Sequence, residues 1–490
     1  MTHWLPLVVM TPLVGGALAR VLGMAGAGAL RAWSLAIVSV TLLAALVLTL
    51  EVAASGPFSY PLGGWDRPFG IELRFDEFSA AILFMALIAG LVLVYAGRDA
   101  AREMPAGRLP WFHALMLLNL GGMAGFAVTG DLFNLFVFME VVSVSSYALV
   151  ALGEQRMAPV AAFRYLLAGA ASSALILFSI GILYALTGSL NMADVAARLG
   201  GEPAGMPAAV ALGGLVTGFL LKAEVFPLHA WLPDAHASAP APVSAVLSAL
   251  VVKLGILGVL RCWQLFAAAG VLPLGALGEL LAWGGALSLV AGAGFALFQQ
   301  DIKRLLAYST VSNIGYIVMG LGLASQQAVL GAGLHVLNHA LIKSTLFLAA
   351  GALIHQTGCR KLYDLRGAGR AMPWTSLALT VGVLSVVGLP PTAGFPGKWY
   401  IALGALDAGR PVFAVVAAAG GLLAFAYYTR VLNTLYFLPP THERVLGVRE
   451  APLSLLAPVL LLALLCMMAG IFARVPMAFL EPAVSRLLGM

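Results

Sequence analysis

Residues 220–261 read LLKAEVFPLHAWLPDAHASAPAPVSAVLSALVVKLGILGVLR, and the interruption in their middle decides the fold. An apolar helix carries Lys222, breaks at Pro227 and passes through a short polar segment rich in His, Asp and Pro. A second apolar helix then carries Lys253. Two buried lysines flanking a broken helix are expensive in a membrane, so together they mark a pathway for charge. The rest of the chain has to supply their partners.

Its composition places it in a bilayer. Of 490 residues 61% are hydrophobic and only 10% charged, with a mean hydropathy of +0.98. A soluble domain carries about 25% charged residues. The net charge of +6 reflects loop asymmetry and not affinity for nucleic acid, because no solvated basic face exists to hold one. Cys262, Cys359 and Cys466 are scattered and suggest neither a disulfide framework nor a metal site. The N-terminus, MTHWLPLVVM, lacks a basic n-region and reads as a first transmembrane helix that stays in place.

A spanning helix needs about 20 mostly apolar residues. By that rule the chain holds roughly fourteen spans, the first five at 5–23, 30–52, 77–97, 111–129 and 131–151. Six follow near 160–186, 207–227, 240–264, 273–297, 303–323 and 326–355, and three more near 374–402, 411–437 and 451–475. The fold class is an all-α polytopic membrane protein. Residues 53–76 read as an external hairpin or loop, with turn signals at Gly63 and Gly64 and alternation after Gly70, and residues 190–202 as a short interfacial helix.

Basic residues set the orientation. Arg98, Arg102 and Arg108, then Arg156, Lys303 and Arg304, then Arg360, Lys361, Arg366 and Arg370, and finally Arg444 and Arg449 all fall in connections on one side. The positive-inside rule makes that side cytoplasmic and puts both termini outside.

A second interruption, GLPPTAGFPGK at 388–398, lies in span twelve as KAEVFP at 222–227 lies in span seven. Breaks at corresponding positions of two halves point to inverted repeats, here spans four to eight and nine to thirteen. A broken helix frees backbone groups that are re-satisfied where the segment lines a wet cavity.

Between the breaks lie ionisable residues that a bilayer does not tolerate idly. Glu140 stands mid-span with no charge within eight residues, so it needs protonation or a partner, and Lys222 is the first choice. A structural ion pair locking two helices is the plainer reading. Lys253 lies too centrally to snorkel. Burial disfavours its charged form while a nearby carboxylate favours it, so a lysine balanced between the two can exchange protons. His335, His339 and Lys343 recur every four residues and share one helix face. Neutral imidazoles suit a proton relay, though a packing role for one of them is equally available. Their HxxxH spacing lacks the Glu and third ligand of a metal site, so no metal is expected. Lys398 follows the second break. His229, Asp234 and His236 follow the first, and either line an entrance or form a solvated loop. His113 and Glu224 are lesser candidates, since Glu224 is two residues from Lys222 and points to another face. Gly214 and Gly218 form a small-xxx-small pair suited to packing. No P-loop, dinucleotide fingerprint, CxxC or nucleophile elbow occurs, so no cofactor and no catalytic chemistry is expected within the chain.

Five stretches together make a resemblance specific: FNLFVFMEVVSVSSYALV (133–150), KAEVFPLHAWLPDAHASAPAPVSAVLSALVVKLG (222–255), DIKRLLAYSTVSNIGYIVMG (301–320), HVLNHALIKSTLFLAAGALI (335–354) and GLPPTAGFPGKWY (388–400). The sequence resembles the antiporter-like subunits shared by respiratory complex I, Mrp-type sodium/proton antiporters and membrane-bound hydrogenases, from about residue 110 to 435. That resemblance implies fourteen helices: three in residues 1–110, an inverted five-helix repeat in 111–265, its counterpart in 266–437, and a last helix and tail in 438–490. It implies Glu140 and Lys222 as an ion pair, Lys253 as a central lysine, His335, His339 and Lys343 as a relay, and Lys398 as its terminus. It also implies other membrane subunits as partners, with H⁺ and Na⁺ as transported ions, and the bacterial cytoplasmic (inner) membrane as the location. The chain length and Lys398 look most like the D-type component of Mrp antiporters, while the two histidines look more like the larger complex I and hydrogenase components. Glu224 departs from the family, which usually has a small or apolar residue there. The function expected is proton translocation within a cation/proton antiporter. A redox-driven pump subunit and a structural scaffold are the alternatives.

Overall fold

The computed structural model describes residues 4–97, 107–200, 205–270, 274–441 and 443–489. Arg98 and Arg102, used above for orientation, and the end of the expected interfacial helix lie outside them.

The apolar runs of the sequence become helices: α1 (Trp4–Gly23), α2 (Ala27–Ser55), α3 (Ala81–Tyr95), α4 (Leu109–Val128), α5 (Leu132–Ala151) and α6 (Ala158–Thr187). The short α7 (Met192–Gly200) precedes α8 (Gly205–Lys222), α9 (Leu232–Ser238), α10 (Ala241–Val246) and α11 (Val252–Ala269). Next come α12 (Leu274–Leu297), α13 (Ile302–Gly322), α14 (Gln326–Thr357), α15 (Ala368–Ala371), α16 (Pro373–Val387) and α17 (Gly394–Asp407). The chain ends with α18 (Pro411–Tyr436), α19 (Glu443–Leu446), α20 (Leu453–Ile471) and α21 (Arg474–Leu488). β1 (Phe58–Pro61) pairs antiparallel with β2 (Glu72–Phe75), Phe58 opposite Phe75 and Pro61 opposite Glu72, which is the hairpin expected in 53–76.

Twelve helices among the described residues are long and apolar enough to cross a membrane, or thirteen if Leu362–Ala371 and α16, bent by 116° to one another, form one span. The sequence suggested about fourteen. Two places explain the difference. α3 is apolar but has only 15 residues, and span twelve divides into α16 and α17, of 15 and 14 residues. Span seven also ends earlier than its hydropathy suggests. α8 stops at Lys222, not at Pro227, and the chain continues in turns to α9.

Where helices begin, polar caps take up free N–H groups. Asp131 accepts from Asn134 N at 2.7 Å to start α5, and Asp301 from Lys303 N (2.9 Å) and Arg304 N (3.1 Å) to start α13. Small residues let helix backbones touch. A Cβ on Gly285 of α12 would lie 2.2 Å from Met319 N, and one on Gly315 of α13 would lie 2.4 Å from Leu289 N. Gly214 and Gly218 face Ser179 and Ile176 of α6, the packing role their spacing suggested. The interior is built from the continuous segment α10–α11, α13 and α14, and α14 packs against α13, α16, α17 and α20. One ion pair fastens this core. Arg261 of α11 grips Asp76 with two nitrogens, Nη1 to Oδ2 at 2.5 Å and Nη2 to Oδ1 at 3.1 Å, and also donates to Ala127 O at 3.0 Å.

Candidate functional site

The first cluster forms where α5 meets the end of α8. Residues 140, 143 and 147 recur at helical spacing and share one side of α5. The Lys222 ammonium lies 4.0 Å from Glu140 Oε1 and donates to Ser143 Oγ at 2.7 Å and to Tyr147 Oη at 3.3 Å. Ser173 of α6 donates its hydroxyl to the Glu140 carboxylate. The Glu140 side chain is 34% exposed against 11% for Lys222, so the acid sits at the edge of the chain and the base within it.

Lys253 is buried in α11, and the residues before it, Leu247–Val251, form a π turn. Such a turn opens the carbonyl ladder, a device frequent at functional positions. Its widened turn gives the Lys253 ammonium the Ser248 carbonyl as acceptor. The Ser248 hydroxyl is 2.7 Å from that of Thr310 on α13.

α14 carries the next group. Lys343, fully buried, donates to Leu306 O at 2.8 Å and to Ser309 Oγ at 2.9 Å, and Tyr428 of α18 donates to the same Ser309 oxygen at 2.9 Å. The rings of His335 and His339 are 5.8 Å apart, as their shared face required. His335 Nε2 is 3.1 Å from Asn313 Oδ1, while both nitrogens of buried His339 lack a hydrogen-bond partner. Lys398 reaches back across the second break. It donates to Val386 O at 2.6 Å and Val387 O at 3.4 Å, the carbonyls that the end of α16 frees, and lies 4.4 Å above the Tyr316 ring. Each of the four lysines is thus satisfied by hydroxyl or carbonyl oxygens, and Lys222 alone is within 4.0 Å of a carboxylate among the described residues.

The residues after the first break divide. Asp234 bonds Arg164 at 2.5 Å and also pairs with Arg304, so it ties α9 to α6 and α13. His229 packs among Phe226, Phe295 and Tyr308. His236 is buried, stacks on Phe347 with ring centres 4.9 Å apart, and has no hydrogen-bond partner at either nitrogen. His113 bonds Ser34 Oγ at 2.9 Å and joins α4 to α2. Glu224, a lesser candidate in the sequence, is fully buried and lies within electrostatic range of Lys253 and Lys343. An acid standing in an apolar run was the signal that could have raised its rank. The hydroxyl and amide partners, Ser143, Thr310, Ser309 and Asn313, carried no such signal, because these residues also occur in ordinary helices.

Residues 129–424 match the family described as NADH:quinone oxidoreductase/Mrp antiporter, TM. The chain is 39% identical over 487 residues to the N-type component of the NADH-quinone oxidoreductase of Desulforudis audaxviator, covering 96% of each. It is 34% identical over 384 residues to the D-type component of the Na⁺/H⁺ antiporter of Alkalihalophilus pseudofirmus, covering 78% of this chain and 76% of that one. In three dimensions it superimposes on a chain of the membrane-bound sulfane sulfur reductase, an archaeal respiratory membrane complex. The TM-score is 0.90 at 30% identity, over 99% of this chain and 97% of the other. Five sequence stretches, a family match over more than half the chain and a fold shared along nearly its whole length agree: this chain belongs to the NADH:quinone oxidoreductase/Mrp antiporter transmembrane family.

Proposed function

We propose that the chain is the proton-translocating subunit of a multi-subunit monovalent cation/proton antiporter, with Na⁺ as the exchanged ion. Protons pass along Glu140, Lys222, Lys253, His339, Lys343 and Lys398 with water between them, and His335 flanks the relay. The observation that carries this reading is the row of lysines Lys222, Lys253, Lys343 and Lys398: the first lies beside the Glu140 carboxylate, and the other three are held by neutral oxygens, an arrangement in which each of those three can release and regain a proton without breaking a carboxylate pair. His229 and Asp234 stand on the cytoplasmic side of the first break as entrance residues in this reading. Both termini lie outside, and the membrane part comprises fourteen helices with α4 to α11 and α12 to α18 as inverted repeats. The 34% identity to the D-type component of an antiporter supports exchange against Na⁺.

A second reading has a specific observation behind it. The 39% identity to a component of a quinone oxidoreductase along 96% of the chain favours a pump driven by electron transfer in partner subunits. Everted vesicles carrying the whole native complex separate the two. Proton movement on addition of Na⁺ alone supports the antiporter, and movement only with an electron donor replaces it by the redox pump.

A further inference from the structure

We propose that Glu224 is an additional proton station that joins the Glu140–Lys222 cluster to Lys253; this rests on the translocation reading above. Glu224 stands just past the end of α8 with φ of 64°. Left-handed positions after a helix end favour Gly or Asn, so a buried glutamate there is held against both its backbone preference and its solvation. Both of its carboxylate oxygens are buried and without a hydrogen-bond partner. Within electrostatic range of it are Lys253 of α11, Lys343 of α14 and Tyr165 of α6. Tyr165 stacks edge-on against Tyr147 with ring centres 4.5 Å apart, and Tyr147 accepts from Lys222. One short break therefore sets Lys222 against α5 and, two residues later, buries the Glu224 carboxyl within electrostatic range of Lys253, while Tyr147 touches Lys222 and Tyr165 touches Tyr147.

The steps balance simply. A protonated Lys222 gives its proton, through Tyr147, Tyr165 or water, to the Glu224 carboxylate, leaving a neutral amine and a carboxylic acid. The acid then protonates neutral Lys253, which becomes an ammonium ion beside a restored carboxylate. Lys253 and Lys343 share this one acid, so a proton delivered to either changes the cost of charging the other.

The test uses Glu224→Gln and Glu224→Asp in the intact native complex, with Lys253→Ala beside them, in the everted-vesicle assay. Glu224→Gln keeps shape and polarity but cannot carry the charge, and transport per assembled complex should fall at least tenfold while Glu224→Asp recovers most of it. Transport at the native level in Glu224→Gln while Lys253→Ala is inactive overturns the proposal and leaves the translocation reading standing. Native transport in both variants overturns both. Should Glu224→Gln not assemble, the pH profile of Glu224→Asp decides: a displaced midpoint supports a proton station, and an unchanged profile overturns it.

Discussion

The four lysines of the row meet the same physical demand in different ways. An ammonium ion taken out of water needs oxygen acceptors. Lys222 finds two hydroxyls and a carboxylate, Lys253 the carbonyl of a π turn, Lys343 a carbonyl and a serine, and Lys398 two carbonyls released at a helix end. Removing the best acceptor of the first cluster, by Ser143→Ala, should lower transport several-fold without changing assembly, measured as vesicle transport normalised to complex content. Arg261 contrasts with these lysines. Its bidentate grip on Asp76 is structural, and Arg261→Met leaves a buried carboxylate uncompensated at a cost of about 3–5 kcal/mol. The thermal midpoint of the complex should drop accordingly, and Asp76→Asn in the same chain should recover part of it.

At the scale of elements, helix contacts depend on which glycines meet a backbone. Gly284 and Gly285 are neighbours on α12 with opposite surroundings. A Cβ on Gly284 meets nothing within 4 Å, while one on Gly285 would meet Met319 N at 2.2 Å. Gly284→Ala should leave the thermal midpoint of the complex unchanged. Gly285→Ala should lower it, at an overpacking cost of about 1–3 kcal/mol or more, because backbone atoms cannot swing aside. Elements also show what was legible beforehand. The hairpin at 58–75, the helix at 192–200 and the two interruptions were readable because turn residues and prolines mark them. The end of α8 was misplaced by five residues, since hydropathy continues through Ala223 and Val225 after the helix has stopped. The π turn before Lys253 was invisible, since LSALV reads as ordinary helix. Lys398 was named from sequence, but its carbonyl acceptors exist only because α16 ends where it does.

Across the whole molecule, charged side chains far apart in sequence come together only through packing. Glu140 with Lys222 was foreseeable, because Glu140 stood alone in an apolar span and a lone buried charge demands a partner of opposite sign. The placement of Glu224 within electrostatic range of Lys253 and Lys343 was not, because it needs three helices in their final positions. Family membership fixes the membrane setting and the shared fold. It leaves the driving ion open, since relatives from an oxidoreductase and from an antiporter both match along most of the chain.

The central claim is that protons cross through the buried row, and Lys253 is its midpoint. We would measure ion transport in everted vesicles carrying the whole native complex, with and without Lys253→Ala. Transport present in the native complex and lost in the variant, at equal assembly, is the predicted result. Equal transport in the two would contradict the account and leave the chain a scaffold for its neighbours.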